Sequence, residues 1–502
     1  MKNYLRHTVL LTIVVIGSLL LMNKLPIITI DEETLRTVDI LADVKHEQAV
    51  ELDSLPMIEL NSLEELKDST PSIPKDTLKL EASQEESDQV INEARIVEES
   101  STKQEVFQPN GWVELDTNEE GLTSIADYSK GEAGGMSFFY DALNRVEEGA
   151  YARVAVFGDS FIEGDIFTAD LRSYLQSEFG GCGVGFVPIT SETNGFRPSV
   201  VHVFGGWESH SVTKKSGFKY ANQGISGHYF IPTSANAFVE LRGQKRYATH
   251  LDTCEVATIY FHSKGPLSLR AKLNSQQNKS FQIEGSAELQ AVKVKGKIGR
   301  IRWSTPANSS ALFYGAAMDG ESGVVVDNYS LRGSSGYSLI SIPQKNLREF
   351  NALRPYDLII IQYGLNVVAK GVYDYNYYRA QMNKVIAYLK ECFPHTSFLI
   401  LSVGDRDYKT RTGSYETMPE IKYFLQMQRQ IAKDNKIAFW NMFEAMGGER
   451  SMYKLVHDSP SKANYDYTHI NFRGGRFLAK KLFDSILDGK KNYDNSSDYA
   501  VY

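Results

Sequence analysis

The chain has 502 residues, 42% of them hydrophobic, which is material for two or three domains and a sizeable core. A net charge of −8, with no run of clustered Lys and Arg interleaved with aromatics, excludes a nucleic-acid binder that works by neutralising phosphates. Cys182, Cys254 and Cys392 lie too far apart for a metal-ligand or redox spacing, so neither a metal site nor a disulfide framework is expected, and no motif calls for an organic cofactor.

Lys2, Arg6 and His7 precede an apolar run from Thr8 to Met22, with Leu25 to Ile30 extending it beyond Lys24. A basic end followed by an apolar stretch predicts export, with the basic end left in the cytoplasm. No small-x-small cleavage site follows Met22 and no lipobox cysteine is present, so residues 1–30 read as an uncleaved membrane anchor. Residues 31–110 are acidic and polar, with stretches such as Gln84-Glu85-Glu86-Ser87-Asp88 and almost no aromatics. Such a segment cannot bury enough apolar surface to offset its ordering entropy, and it predicts a disordered linker.

Structure is expected from about Trp112, with a helix over Met136 to Val146 and a strand over Arg153 to Phe157. Gly158-Asp159-Ser160 then breaks the strand. Phe167, Leu171, Tyr174, Leu175 and Phe179 fall at spacings of three and four, which gives a helix starting near Thr168 one apolar face. From Phe196 onward the period changes to two, as in Leu267-Ser268-Leu269-Arg270-Ala271-Lys272-Leu273 and Ile301-Arg302-Trp303. Gly, Asn, Ser and Pro punctuate these runs, so residues 196–323 predict an inserted β-sandwich. Trp207, Tyr229, Trp303 and Tyr314 read mainly as its core.

Strand and helix patterns alternate again afterwards. Strands are expected at Val324 to Asp327, Leu358 to Gln362, Phe398 to Leu401 and Ile437 to Trp440. Helices are expected at Tyr375 to Glu391, Pro419 to Lys433, and from Gly474 or Gly475 to about Leu487. Residues 111–195 and 324–490 therefore predict one α/β domain, a parallel sheet covered on both faces, with a frayed polar tail over 491–502. Function in such a sheet belongs at the carboxyl ends of the strands.

Four strand-end positions there carry chemistry. Ser160 sits on a strand-to-helix turn. Gly333 ends the turn Asp327-Asn328-Tyr329-Ser330-Leu331-Arg332-Gly333. Asn366 follows Gly364-Leu365 after a buried strand, and Asp466 and His469 stand three residues apart before the last helix. A serine hydroxyl needs an imidazole to take its proton, and the imidazole needs a carboxylate to fix its tautomer. The oxyanion that forms needs aimed donors, for which the Ser160 N–H, the Gly333 N–H and the Asn366 amide are the candidates. Singly, each reads as a turn, a cap or a positive-φ glycine. Together in one domain they predict a catalytic set of Ser160, Asp466 and His469, with Ser160, Gly333 and Asn366 as the oxyanion hole.

These blocks, in this order, resemble the SGNH (GDSL-type) hydrolase superfamily over Arg153 to about Leu487. The resemblance implies a flavodoxin-like three-layer α/β/α fold, with Ser160, Gly333, Asn366 and His469 as the name-giving residues and Asp466 completing the triad. The stretches GDSFIEGDIFTADLRSYLQSEFGGCGVGFVP and GESGVVVDNYSLRGSSG are similar to the branch of bacterial peptidoglycan O-acetylesterases, where a carbohydrate-binding-like β-sandwich is inserted between the first two blocks. Phe161 stands where that branch often has His, and Val367 where many members have Asp or Glu. The implied activity is a serine esterase removing O-acetyl groups from an envelope or extracellular polysaccharide, held on the membrane and facing the periplasm or exterior. An O-acyltransferase using the same residues, suited to an anchor beside a membrane-bound acyltransferase partner, is the alternative. A non-catalytic glycan-binding protein is the third reading, and an intact Ser160, Asp466 and His469 set argues against it. An α/β-hydrolase lipase is disfavoured because Phe161-Ile162 follows the serine where a G-x-S-x-G elbow needs its second glycine.

Overall fold

The computed structural model describes residues 29–30, 33–34, 106–130, 135–214, 216–308 and 310–498. The chain divides into two units, 1–102 and 103–502. In the first, Thr29–Ile30 pairs antiparallel with Glu33–Thr34. The apolar run Thr8 to Met22 and nearly all of the acidic stretch lie outside the described residues. Among the described residues no helix is long and apolar enough to cross a membrane.

The second unit is built on a six-stranded sheet: β1 (Ile125–Asp127), β2 (Tyr151–Gly158), β3 (Gly323–Ser330), β4 (Leu358–Gln362), β5 (Ser397–Leu401) and β6 (Ala438–Trp440). Its order is β3-β2-β4-β5-β6-β1, with β2 to β6 all parallel and β1 antiparallel at the edge. Counted along the chain, the five parallel strands take the spatial order 2-1-3-4-5, which is the flavodoxin-like arrangement. Leu358, Ile359, Ile360 and Ile361 of β4 are all buried, as an apolar run without alternation requires. Each such side chain contributes about 1.5–3 kcal/mol on leaving water.

Among the described residues eight helices accompany the sheet: α1 (Ser137–Val146), α2 (Thr168–Phe179), α3 (Gln344–Leu353), α4 (Asn376–Cys392), α5 (Pro419–Asp434), α6 (Met442–Met446), α7 (Ser451–Val456) and α8 (Phe472–Asp498). Helix α8 packs on α1 and α2, while α3, α4 and α5 form a second contiguous group. Right-handed crossovers account for the split: α2 leads leftward from β2 to β3, and α3, α4 and α5 lead the other way, so they cover opposite faces. Helix α8 runs well past Leu487 into the segment expected to fray. Tyr493 supplies the reason, since its hydroxyl donates to Asp141 at 2.9 Å and its ring packs on Tyr140 of α1.

Two sheets make up the inserted part. One runs in the order Gln290–Ile298, Cys254–Ser263, Ala311–Asp319, His228–Pro232, Trp207–Ser211, and the other in the order Lys279–Ile283, Leu267–Leu273, Arg300–Thr305, Ala237–Gly243, Val200–Gly205. Their facing sides enclose a separate core that includes Phe230, Val239, Leu241, Ile259, Phe261, Leu269, Ile301, Trp303 and Phe313. The boundary drawn at residue 196 is too late, because Gly185–Pro188 already pairs antiparallel with Ala311–Asp319. Tyr229 and Tyr314 also depart from expectation: with Phe186 and Tyr260 they pack into the α/β core. The first sheet is thus covered on both faces. A buried ion network reinforces that junction, with Arg354 held by Asp319 at 2.6 Å and Asp327 at 2.6 Å, and Asp327 accepting from Tyr356 and from the Phe186 N–H.

Candidate active site

The register of the sheet decides what can meet. Gly158 at the end of β2 pairs with Ser330 of β3 on one side and Gln362 of β4 on the other. The loops carrying Ser160, Gly333 and Asn366 therefore leave the same edge, side by side, where the strand order reverses. Crevices at such switch points are where open α/β sheets bind ligands. Only glycine fits at 158, since a Cβ there would lie 2.6 Å from Ile162 Cδ1 and 2.8 Å from the Gln362 carbonyl oxygen.

A short 3-10 helix over Ser160–Asp165 follows β2, and the Asp159 side chain caps it by accepting from the Phe161 N–H at 2.9 Å. Ser160 is half-buried, and its Oγ lies 3.2 Å from His469 Nε2. The His469 Nδ1 is in turn 2.8 Å from Asp466 Oδ2, and the other oxygen, Oδ1, accepts from the backbone N–H groups of Thr468 and His469. Burial alone would raise the Asp466 carboxyl, but the bonds from the His469 ring and these two N–H groups outweigh it and hold the group at about 2. The carboxylate stays charged and fixes the imidazole with Nε2 turned to the hydroxyl.

The loop bearing the dyad is held by its own turns. The Asn464 N–H donates to the His469 carbonyl at 2.8 Å, and Ala463 bridges Ile470. The carbonyl of Tyr467, a residue at φ 53°, accepts from the Asp407 N–H of a hairpin that sequence periodicity did not signal, Asp407–Lys409 paired with Tyr415–Thr417. Tyr415 stacks on Tyr467 at 4.0 Å between centroids, and Tyr453 and His457 extend the aromatic cluster. Tyr465, just before Asp466, is 75% exposed.

Gly333 is exposed at φ 76°, a left-handed conformation that glycine adopts without the penalty of a side chain. Among the described residues neither its N–H nor that of Ser160 donates to a protein acceptor. Asn366 is also exposed, and its Nδ2 donates to the Ser334 carbonyl at 3.0 Å and to Asp159 Oδ2 at 3.3 Å. All five residues singled out from the sequence thus sit on loops at one edge, with direct bonds joining Ser160, His469 and Asp466.

Two groups that sequence reasoning assigned no role tie these loops together. Asp159 is fully buried and also accepts from the Gly364 and Leu365 N–H groups, so one carboxyl bridges the Ser160 and Asn366 loops; its burial pushes it up to about 6 despite these donors. Glu163 pairs with Arg332 through Nε at 3.0 Å and through Nη2, which joins the Ser160 loop to the Gly333 turn. Phe161 is buried against the core, so no polar side chain is presented at that position. Among the described residues no group of three His, Cys, Asp or Glu could hold a metal ion.

No protein-family profile and no curated protein matches this sequence. Among solved structures, a peptidoglycan O-acetylesterase is matched over 73% of this chain and 99% of its own, at 19% identity and a TM-score of 0.59. The chain has that esterase's fold. The likeness is one of architecture and takes in both the α/β part and the inserted sheets. An acetyl xylan esterase is matched over 32% of this chain and 81% of its own (17% identity, TM-score 0.24), and a GDSL-like lipase from Parabacteroides merdae over 32% and 73% (17% identity, TM-score 0.24).

Proposed function

We propose that this SGNH-type chain is a serine esterase that removes acyl groups, foremost acetyl, from the hydroxyls of a cell-envelope or extracellular polysaccharide such as peptidoglycan. The observation that carries the reading is the continuous relay at the switch point: Ser160 Oγ to His469 Nε2 at 3.2 Å, and His469 Nδ1 to Asp466 Oδ2 at 2.8 Å. His469 takes the hydroxyl proton as Oγ bonds to the ester carbonyl carbon, and Asp466 stabilises the imidazolium. The oxyanion is met by the N–H groups of Ser160 and Gly333 and by Asn366, which gives up its long contact to Asp159. Collapse breaks the bond to the sugar oxygen, which leaves with the proton from His469. Water then attacks the acyl-Ser160, with His469 as base, and releases the acid and the free serine.

Openness of the dyad favours water over a sugar hydroxyl as the second nucleophile, since the His469 and Asp466 side chains are 37% and 47% exposed. The exposed Tyr465 and the tyrosine cluster behind it offer sugar rings a stacking surface beside the dyad. Lys2, Arg6 and His7 ahead of the apolar run support a membrane-anchored protein with its catalytic part facing the periplasm or exterior. The test is acetate release from a chromogenic acetyl ester and from O-acetylated glycans, with and without an unacetylated sugar acceptor, for the wild type and Ser160→Ala. Free acetate lost in the variant supports the esterase; acetylated acceptor in place of acetate would make it a transferase; equal wild-type and variant rates would remove both.

A further inference from the structure

We propose that the outer face of the five-stranded sheet of the insert binds a polyanionic, carboxylate-bearing polysaccharide. The alternation of the strands sorts their side chains. In Leu267–Leu273, Arg300–Thr305 and Ala237–Gly243 the buried positions are Leu269, Ala271, Ile301, Trp303, Val239 and Leu241, so Arg270, Lys272, Arg300, Arg302, Glu240 and Arg242 all point the other way. Register then gathers them: Lys272 pairs with Arg302 and Arg302 with Glu240 in one row, and Arg300 pairs with Arg242 in the adjacent row. Five cations and one carboxylate occupy one sheet face of a chain whose net charge is −8. No basic run in the sequence announced this, because three strands contribute to it.

The protein neutralises these cations only in part, with Arg300 also donating to the Asn274 carbonyl at 3.1 Å. Glu240 is shared by Arg302 at 3.5 Å and Arg300 at 4.0 Å, and no carboxylate among the described residues pairs with Arg242, Arg270 or Lys272. The other sheet of the sandwich is covered on both sides, so this is the face left open to a ligand; Arg242 and Lys272 are exposed and Arg300 is 41% exposed. Cations on neighbouring strands stand about 5 Å apart and those two residues along a strand about 7 Å apart, a grid that a chain with repeating carboxylates can follow. Polar hydrogen-bonding groups lie among them: Ser268 with Gln282, and Asn236 beside Arg270. Arg302 lies over the Phe238 ring at 3.5 Å, and the exposed Val203, paired with Glu240 on this face, is too small an apolar surface for insertion into a lipid layer. An open cleft of about 400 Å³ lined by Arg242, Asp252, Asn274 and Arg300 continues this face at its end.

The test is gel retardation of the full-length protein in polygalacturonate, with fully methyl-esterified polygalacturonate as the uncharged control, and with a DNA homopolymer and anionic phosphatidylglycerol vesicles as competitors. The expected result is retardation by polygalacturonate alone, weakened by salt. It should be about tenfold weaker in Arg270→Gln/Lys272→Gln/Arg302→Gln, with hydrolysis of a small acetyl ester unchanged. The single variant Lys272→Glu provides the same readout with minimal disturbance of the sheet. Equal retardation of wild type and Lys272→Glu, equal retardation by the esterified polymer, or displacement by DNA or vesicles at lower concentration would overturn the proposal. Binding needs no catalysis, so the result is independent of the esterase reading.

Discussion

Asp159→Asn removes the one carboxyl that joins the Ser160 loop to the Asn366 loop while keeping its volume. In the native protein burial pushes this group from 3.8 up to about 6, against the pull of the Phe161, Gly364 and Leu365 N–H groups. A carboxyl whose folded value is raised contributes stability that is complete below its unfolded value and is lost as pH climbs through the folded one. The window is therefore pH 4 to 6, and the change from 3.8 to about 6 corresponds to about 3 kcal/mol for a group this buried. Asparagine does not titrate, so every other pH effect cancels in the difference between wild type and variant. Urea unfolding followed by the fluorescence of the buried Trp303 and Trp440, at pH 4, 5, 6 and 7, should show the wild type losing about 3 kcal/mol relative to the variant. Activity should move separately. With no acceptor of the same kind for its Nδ2, Asn366 is loosened but not removed, and kcat on an acetyl ester should fall about tenfold with KM held, less than the 10²- to 10³-fold typical of deleting an oxyanion donor outright. A stability gap that stays constant from pH 4 to 7 would refute the reasoning.

Asp466→Asn should lower kcat by about 10³- to 10⁴-fold with the fold intact by circular dichroism, because the imidazole loses the carboxylate that fixes its tautomer. Since Asp466 is held at about 2, the stabilising pair is complete above the usual carboxylate range and is lost only as pH falls toward 2; a titration of the Asp466 carboxyl carbon above pH 4, followed by NMR, would contradict this. Gly333→Ala places its methyl in open space at φ 76°, so the thermal midpoint should drop by no more than about 1–2 kcal/mol of backbone strain allows, while kcat falls as the N–H turns away. Arg354→Met strips Asp319 and Asp327 of their shared buried cation and should cost about 3–5 kcal/mol in urea unfolding.

Periodicity carried the fold a long way. The apolar runs that became β2, β4 and β5 and the three-and-four spacings that became α2 and α5 are local properties, and the four site blocks are contiguous stretches. What periodicity missed is long-range or short. Helix α3 buries only Leu347 and Phe350, too few to make a periodic face, and the two strands of the hairpin beside His469 are three residues long. The end of α8 depends on Tyr493 meeting α1, some 350 residues earlier in the chain. The insert boundary failed for a related reason: Gly185–Pro188 reads as the end of the α/β segment until its partner strand, more than a hundred residues later, is known. At the site, Ser160, Gly333, Asn366, Asp466 and His469 were legible because each chemistry demands a residue type. Asp159 and the Glu163–Arg332 pair were not, because a positioning residue is recognised only by what it touches.

Two buried carboxylates explain why the inserted sheets and the α/β part behave as one unit. Asp165, at the end of the Ser160 turn, is bound by Arg172 of α2 at 2.8 Å and by Arg197 and Ser199, where the chain passes into the insert. Asp327, in the strand that leads to Gly333, is bound by Arg354, whose other partner, Asp319, closes the insert. Each staple thus joins an element that carries part of the site to one end of the inserted segment. Burying such ions contributes little net stability, but an ion stripped of its partner is costly, so docked geometries that mispair them are penalised. A substitution that loosens the insert should therefore reach the Ser160 and Gly333 loops through Asp165 and Asp327. The insert is then part of the frame that holds the catalytic edge in register, not only a second binding surface.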